Sequence, residues 1–451
     1  MTPMSALGEL AGFASSLRVR DLPPEIVAKA KTCLIDALFG NFLVSVDPRA
    51  RAALRAVAAD GAEPGATIVG TPHRAHPGDA AFVNAASTAA TDRSDTHPAT
   101  ATHPGIMTVP PALALAEQRG RDGASLIVAL VAGYETMCRL ARAVIRPEIA
   151  AIFRPTALVG PTAAAVAAAR VLDLPADRIV VAASLATQTA SGFNEWAHAG
   201  TSEHPFHAAF AVRNAVTATL LAEHGVDSAP TVLDGASGLL AGFGSRANAA
   251  VLTRGLGRDW EMASIVHKPA PACFFVQAPC QLAQEIARRP GFDPRDIDRI
   301  EIRVTDTAAR YPGCDNPGPI TAHQGAIMSL QFSVASVLTA GRVVAESWRN
   351  YTDPAVNDLA GRSSVVVDGL LTAAYPARQG VRLRLSMRRG AAVEVAQEDF
   401  RSMSRDEVVA RFLESATPNL GAPRAAATIA CIDRLEHLAD IRELTSLIRT
   451  S

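Results

Sequence analysis

Asp92, Asp95, His97 and His103 fall in one short stretch, Thr91 to Gly105, with Ser94, Thr96, Thr100 and Thr102 between them. Imidazole titrates near neutrality and a neighbouring carboxylate can orient it, so this stretch holds the best acid–base candidates of the chain. Pro98 and Pro104 deny it a continuous helix, because each lacks a donor and restricts the residue before it. Apolar, alanine-rich runs flank it on both sides. A polar loop wedged between buried helices must satisfy its own polar groups or line a cavity. A capped loop whose histidines merely serve backbone groups is the competing reading. As a metal site, Asp92, Asp95, His97 and His103 match no ligand spacing.

Lysine is the second signal. Only Lys29, Lys31 and Lys268 occur, and every other basic side chain apart from the histidines is arginine. Lysine is the more compact charge and, unlike arginine, can lose its proton in a protein. A lone lysine far along the chain therefore asks what arginine could not do there; a retained surface lysine is the plain alternative.

These groups sit in a chain of 451 residues, enough for a sizeable core and more than one domain. A formal net charge of −1 offers no basic surplus for phosphates, which argues against nucleic acid as a partner. No basic segment leads into a long apolar run at the N-terminus, so no signal peptide is expected, and no uninterrupted apolar stretch suggests a membrane span. Cys33, Cys138, Cys273, Cys280, Cys314 and Cys431 are scattered, and the Cys273–Cys280 step fits no zinc or cluster spacing. Free thiols in a reducing, cytoplasmic compartment are the simplest expectation. Cys273 near His267 reads as a packed thiol rather than a nucleophile.

Stepping outward, helical periodicity covers residues 5–18, 23–44, 48–59 and 78–92, with a brief extended segment at Ala66–Val69. After the polar loop, Thr108 is expected to cap a helix through Gln118, with Pro110 and Pro111 in its first turn. Residues 124–145 read as a core helix in which Glu135 pairs with Arg139. Residues 156–172, 176–191, 206–224 and 236–243 continue the helices. The character changes near residue 265. Strand alternation appears at 297–304, 364–368, 381–386 and 391–395, with helices at 278–289, 324–340 and 353–361. Residues 404–416 and 425–449 are helical again. The expected class is mainly α: a large all-helical domain, 1–265 plus 400–451, with an inserted smaller α+β lid domain, 266–399.

The chain resembles the MmgE/PrpD family, which includes 2-methylcitrate dehydratase, cis-aconitate decarboxylase and iminodisuccinate epimerase. The blocks that carry the resemblance, in order, are Asp92-x-x-Asp95-Thr96 with Thr102-His103-Pro104-Gly105; Gly133-Tyr134-Glu135 with Arg139; and Arg154-Pro155-Thr156. Ser191-Gly192, Gly200-Thr201 and His207 follow, then Leu233-Asp234-Gly235, and then Lys268-Pro269-x-Pro271-x-Cys273. The ordered set spans most of the chain. The resemblance implies an active site between the helical domain and the lid, a homodimer, and no metal or other cofactor.

Position by position, it implies catalytic roles at Asp92, His103 and Lys268, with Thr96 beside them. Two positions depart from the family pattern: Arg154 stands where histidine is typical, and His204 where lysine is typical. A position that is often tyrosine maps to Phe332. The family's shared chemistry is proton movement at carbon next to a carboxylate. His103 is then the proton-transfer residue, with Asp92 orienting it or sharing the base role, and Arg154 and Lys268 bind carboxylate. Thr96, His204 and Phe332 complete the substrate contacts, whereas His207 reads as structural. The expected function is a lyase acting on a small di- or tricarboxylate, with dehydration of a hydroxy acid ahead of decarboxylation or epimerisation. A non-catalytic acid-binding member is the alternative of another class.

Overall fold

A computed structural model describes residues 5–44, 46–57 and 65–450. Its mainly α character is plain, at 61% helix and 8% strand. The expected helix over 48–59 is observed as Pro48–Val57, and its last two residues lie outside the described set.

The buried apolar side chains form two clusters. The larger one gathers helices from Ala6–Ser16 to His204–Glu223, together with Arg405–Leu420, Ala422–Asp433 and Arg442–Ile448 from the end of the chain. At its centre lie Gly123–Val144 and Pro155–Val171, whose alanines, glycines and valines let neighbouring backbones approach closely. Gly123–Val144 is long and apolar enough to cross a membrane, but 89% of its apolar window is buried in the protein, which marks it as a core helix. Glu135 on it pairs with Arg139 at 3.2 Å.

The second cluster gathers residues between Ala270 and Leu385, joined by Trp196 and Ala197 from the first half of the chain. Its sheet has four strands in the order Ser363–Val367, Ile297–Val304, Val381–Met387, Val393–Gln397. The first pair is parallel and the others antiparallel. Ile300, Ile302 and Val304 turn inward in alternation, as the sequence pattern requires.

Four expectations are corrected. The helix expected from Thr108 begins a turn earlier, as Pro104–Arg119, with Pro104 in its first turn and Pro110 and Pro111 inside it. Proline at the start of a helix gives up only an orphan donor, so Pro104 is the better start, and Thr108 instead donates to the Pro104 carbonyl at 3.0 Å. The helix expected over 324–340 is two, His323–Met328 and Leu330–Ala340. Ser329 breaks them and caps the second through the Phe332 amide at 2.9 Å. The helix expected over 236–243 shrinks to Leu239–Gly242. The helix expected over 425–449 begins earlier, after Gly421 at φ 78°, and is interrupted beyond Asp433.

Candidate active site

The polar loop is held from behind. Asp95 is fully enclosed: the Tyr134 hydroxyl donates to its Oδ2 at 2.6 Å and the Gly105 amide to its Oδ1 at 2.9 Å. Its own amide donates to Asp36 at 2.8 Å. Burial, and next to it the negative Asp36, pushes the Asp95 carboxyl up to about 6. Short antiparallel bridges tie Thr96 to Val266 and His97 to Thr102.

The two histidines of the loop have different fates. His97 is spent on structure: Nδ1 meets Thr100 at 2.8 Å and Nε2 meets Glu261 at 3.0 Å. His103 uses only one nitrogen on the protein. Its Nδ1 lies 2.9 Å from the Asp95 carbonyl and 3.1 Å from the Thr96 hydroxyl, which itself donates to Ser94. A carbonyl only accepts, so Nδ1 carries the proton and Nε2 keeps its lone pair. Burial, followed by the charges of Lys268 and Arg154, holds the ring well below the usual imidazole range, so it is neutral at physiological pH. The His103 amide donates to Thr156 at 3.1 Å, fixing the loop against the Pro155–Val171 helix.

His103 lines a small, partly open cavity. Asp92, Arg154, His204 and Lys268 line the same cavity. Lys268 is 3% exposed and donates to the Ala272 carbonyl at 3.1 Å. Burial brings its ammonium down to about 8, against the pull of Asp92. Arg154, at the start of its helix, donates to the His204 carbonyl. Burial lowers its guanidinium while Tyr311 and Asp92 oppose the shift.

Asp92 sits at φ 55°, in the left-handed region, at the turn leaving the Pro77–Ala89 helix. Its Oδ1 lies 3.0 Å from Nε2 of His204, which stacks on Trp196 at 4.4 Å between ring centroids. Burial favours the neutral carboxyl, yet His204, His323 and Arg49 outweigh it and hold Asp92 well below the usual range. Burial likewise brings His204 down to about 4 despite Asp92. At neutral pH the pair is a carboxylate accepting from a neutral imidazole.

The structure thus brings five of the seven residues singled out in the sequence onto one cavity and sets two elsewhere. Thr96 stands behind His103, bonded to its Nδ1 side. Phe332 is a correction: it is wholly buried in the second apolar cluster and does not line the cavity, because Ser329 starts its helix there and turns the ring into the core. The cavity's tyrosine is Tyr311, in Arg310-Tyr311-Pro312-Gly313-Cys314. Burial, then Cys273, pushes its phenol up, so it keeps its proton. Asp92 also differs from expectation in its partner, bonding His204 and not His103.

Sequence reading missed Tyr311 and took Cys273 for a packed thiol away from the site. Cys273 lines the cavity and lies 3.9 Å from Cys314, sulfur to sulfur. The Cys314 contact lowers its thiol below the usual range against the opposing effect of burial, with the Phe275 amide and Lys268 assisting. Tyrosine is scarce in this chain, at four residues, and that scarcity was the available signal for Tyr311. For Cys273 the signal was its closeness in sequence to Lys268.

Comparison with known proteins gives a consistent picture. The model of the MmgE/PrpD N-terminal domain matches residues 8–251, and that of the MmgE/PrpD C-terminal domain matches residues 270–437. Cis-aconitate decarboxylase of Homo sapiens is 25% identical over 457 residues, covering 96% of this chain and 92% of that protein. Cis-aconitate decarboxylase of Mus musculus is 24% identical, covering 99% and 93%. The cis-aconitate decarboxylase-like protein oryM of Aspergillus oryzae (strain ATCC 42149 / RIB 40) is 25% identical, covering 75% and 74%.

Proposed function

The chain belongs to the MmgE/PrpD family, and from that premise we propose that it is a cofactor-independent lyase acting on a small di- or tricarboxylate. One observation carries the reading: His103, neutral and with Nε2 unprotonated, shares a cavity with two buried cations, Lys268 and Arg154. A base flanked by cations suits removal of a proton next to a carboxylate. As the C–H bond breaks, its electron pair runs into the carboxylate, and the growing charge on oxygen is held by Lys268 and Arg154. Arg154 offers a planar fork for two carboxylate oxygens.

In dehydration, His103 Nε2 takes the proton, a double bond forms, and the hydroxyl leaves as water with a proton from Tyr311. This is the reading the base favours. The relatives' names favour a second: in decarboxylation the bond to one carboxylate breaks, carbon dioxide leaves, and the electron pair enters a neighbouring unsaturated carboxylate before a proton from Tyr311 or Lys268 quenches it. In both, the residues gathered around the second apolar core, 266–399, serve as a lid that excludes water, and Asp92 with His204 sets the polar wall. The six cysteines are free, which suits a reducing compartment such as the cytoplasm.

The test is proton NMR in deuterated water with a panel of hydroxy and unsaturated polycarboxylates. Deuterium entering next to a carboxylate, with loss of water or of carbon dioxide, supports the lyase and selects the reaction. Tight binding of an acid with neither exchange nor turnover would instead identify a non-catalytic acid-binding protein.

A further inference from the structure

Beyond Asp92 lies a second cavity that none of the chemistry above uses. It shares Asp92 with the reaction cavity, and Arg93, Arg349 and His323 line it. It adjoins a third cavity through Asp47, Arg49, His323 and Arg349.

The carboxylates of this second cavity are already engaged. Asp47 takes two side-chain hydrogen bonds from Arg49, at 3.2 and 2.9 Å, and Asp92 is held by His204 with Arg49 at 3.8 Å. The other two guanidiniums are not engaged. Among the described residues neither Arg93 nor Arg349 has a carboxylate within ion-pair distance or a hydrogen bond to its guanidinium. Arg93 is the more telling, since it is half-buried and its Nε is enclosed without a partner. Burial brings that group down to about 10; Arg411 lowers it too, Glu414 and Glu346 oppose, and Arg349 adds a smaller push down. A half-buried cation with an enclosed, unpartnered Nε and no ion pair in contact gains from an arriving anion. Two forks on one cavity are the donor set that oxyanions take, each fork offering paired N–H groups.

We propose that Arg93 and Arg349 form a second oxyanion site, distinct from the reaction cavity, that binds a carboxylate or an inorganic phosphate. Occupancy neutralises Arg93 and sets a negative charge beside Asp92. The assignment stands on the two guanidiniums and not on the lyase reading.

The test is calorimetric titration of the full chain with two probes, inorganic phosphate and tricarballylate, a saturated tricarboxylate. Phosphate is expected to bind the wild type at millimolar concentration or below. Arg93→Gln and Arg349→Gln should each weaken it about tenfold, the loss of one charge-assisted contact. Lys268→Met should leave phosphate binding intact, which separates this site from the reaction cavity. If tricarballylate competes with phosphate in Lys268→Met, the site takes carboxylates too; if not, it is a phosphate site. Arg349 is exposed on a short helix, so Arg349→Gln carries the test should Arg93→Gln fail to fold. Phosphate binding that is absent from the wild type, unchanged in both arginine variants, or lost only in Lys268→Met overturns the proposal. So does a switch from dimer to monomer on sedimentation of Arg349→Gln without loss of phosphate binding, which would mean that a second copy supplies the counter-charge.

Discussion

Lys268 holds its proton less firmly than an exposed lysine because burial strips water from the ammonium, bringing it to about 8. The protonated form is the one that stabilises charge on a carboxylate. Activity is therefore expected below that value and to fall as pH rises through about 8. On the acid side His103 is already neutral, so the base is lost only well below the usual imidazole range. A pH–rate profile of kcat/KM checks both limbs. Lys268→Met should lower kcat about a hundredfold, the effect of losing one pre-positioned charge donor. Lys268→Arg should also be impaired, because the planar fork needs other space, and its basic limb should disappear. Wild-type turnover by folded Lys268→Met would remove Lys268 from the site. Cys273 gives an independent check. Its thiol is lowered, whereas burial raises those of Cys33, Cys138, Cys280, Cys314 and Cys431. Mass spectrometry after brief iodoacetamide treatment should find Cys273 labelled first, and bound substrate should protect it; uniform labelling would contradict the thiol's environment described here.

Between the residues and the whole lies the loop that carries His103, and its backbone depends on one missing side chain. A Cβ at Gly105 would lie 2.8 Å from Asp95 Oδ1 and 2.9 Å from the Tyr134 hydroxyl, both parts of the anchor that orients His103. Gly105→Ala should cost about 1–3 kcal/mol by disturbing a buried hydrogen-bonded carboxyl. It should lower kcat with the thermal midpoint, whereas His103→Gln should lower kcat alone. An unchanged melting curve for Gly105→Ala would show that the loop has room to give. Elements of this size were largely legible in the sequence, because 3.6- and 2-residue periodicities report burial directly. The alternation of Ile300, Ile302 and Val304 and the alanines of Pro155–Val171 are cases in point. What escaped was geometry that no period encodes. Phe332 and Tyr311 lie 21 positions apart, and only the Ser329 break and the folding of the intervening segment decide which aromatic reaches the cavity. The partner of Asp92 was equally hidden, since His204 meets it across 112 positions of chain.

At the scale of the molecule, large apolar groups remain on the surface, including Phe193 at 61% exposure and Ile152 at 56%, the latter next in sequence to Phe153, which bridges Phe193. We propose that a second copy of the chain covers such groups in a homodimer, as the family resemblance implies. Sedimentation equilibrium should find a dimer at micromolar concentration, and a monomer there would refute it. Activity is also expected to survive chelation, and elemental analysis to find no stoichiometric transition metal; loss of activity on chelation with such a metal present would call for another mechanism. One junction reaches further. Asp36, near the start of the chain, binds the Asp95 amide and pairs with Arg411, which donates in turn to the Lys268 carbonyl at 2.8 Å. Strands of sequence 375 positions apart thus meet beneath the reaction cavity. On the ribosome, a growing chain that has released its loop, its lysine and the second apolar core still lacks Arg411 and the last helices of the larger core, and Asp36 waits without that counter-charge. The junction beneath the cavity therefore forms only after the segment that follows Lys268 has emerged, and closure over so long a separation is entropically slow.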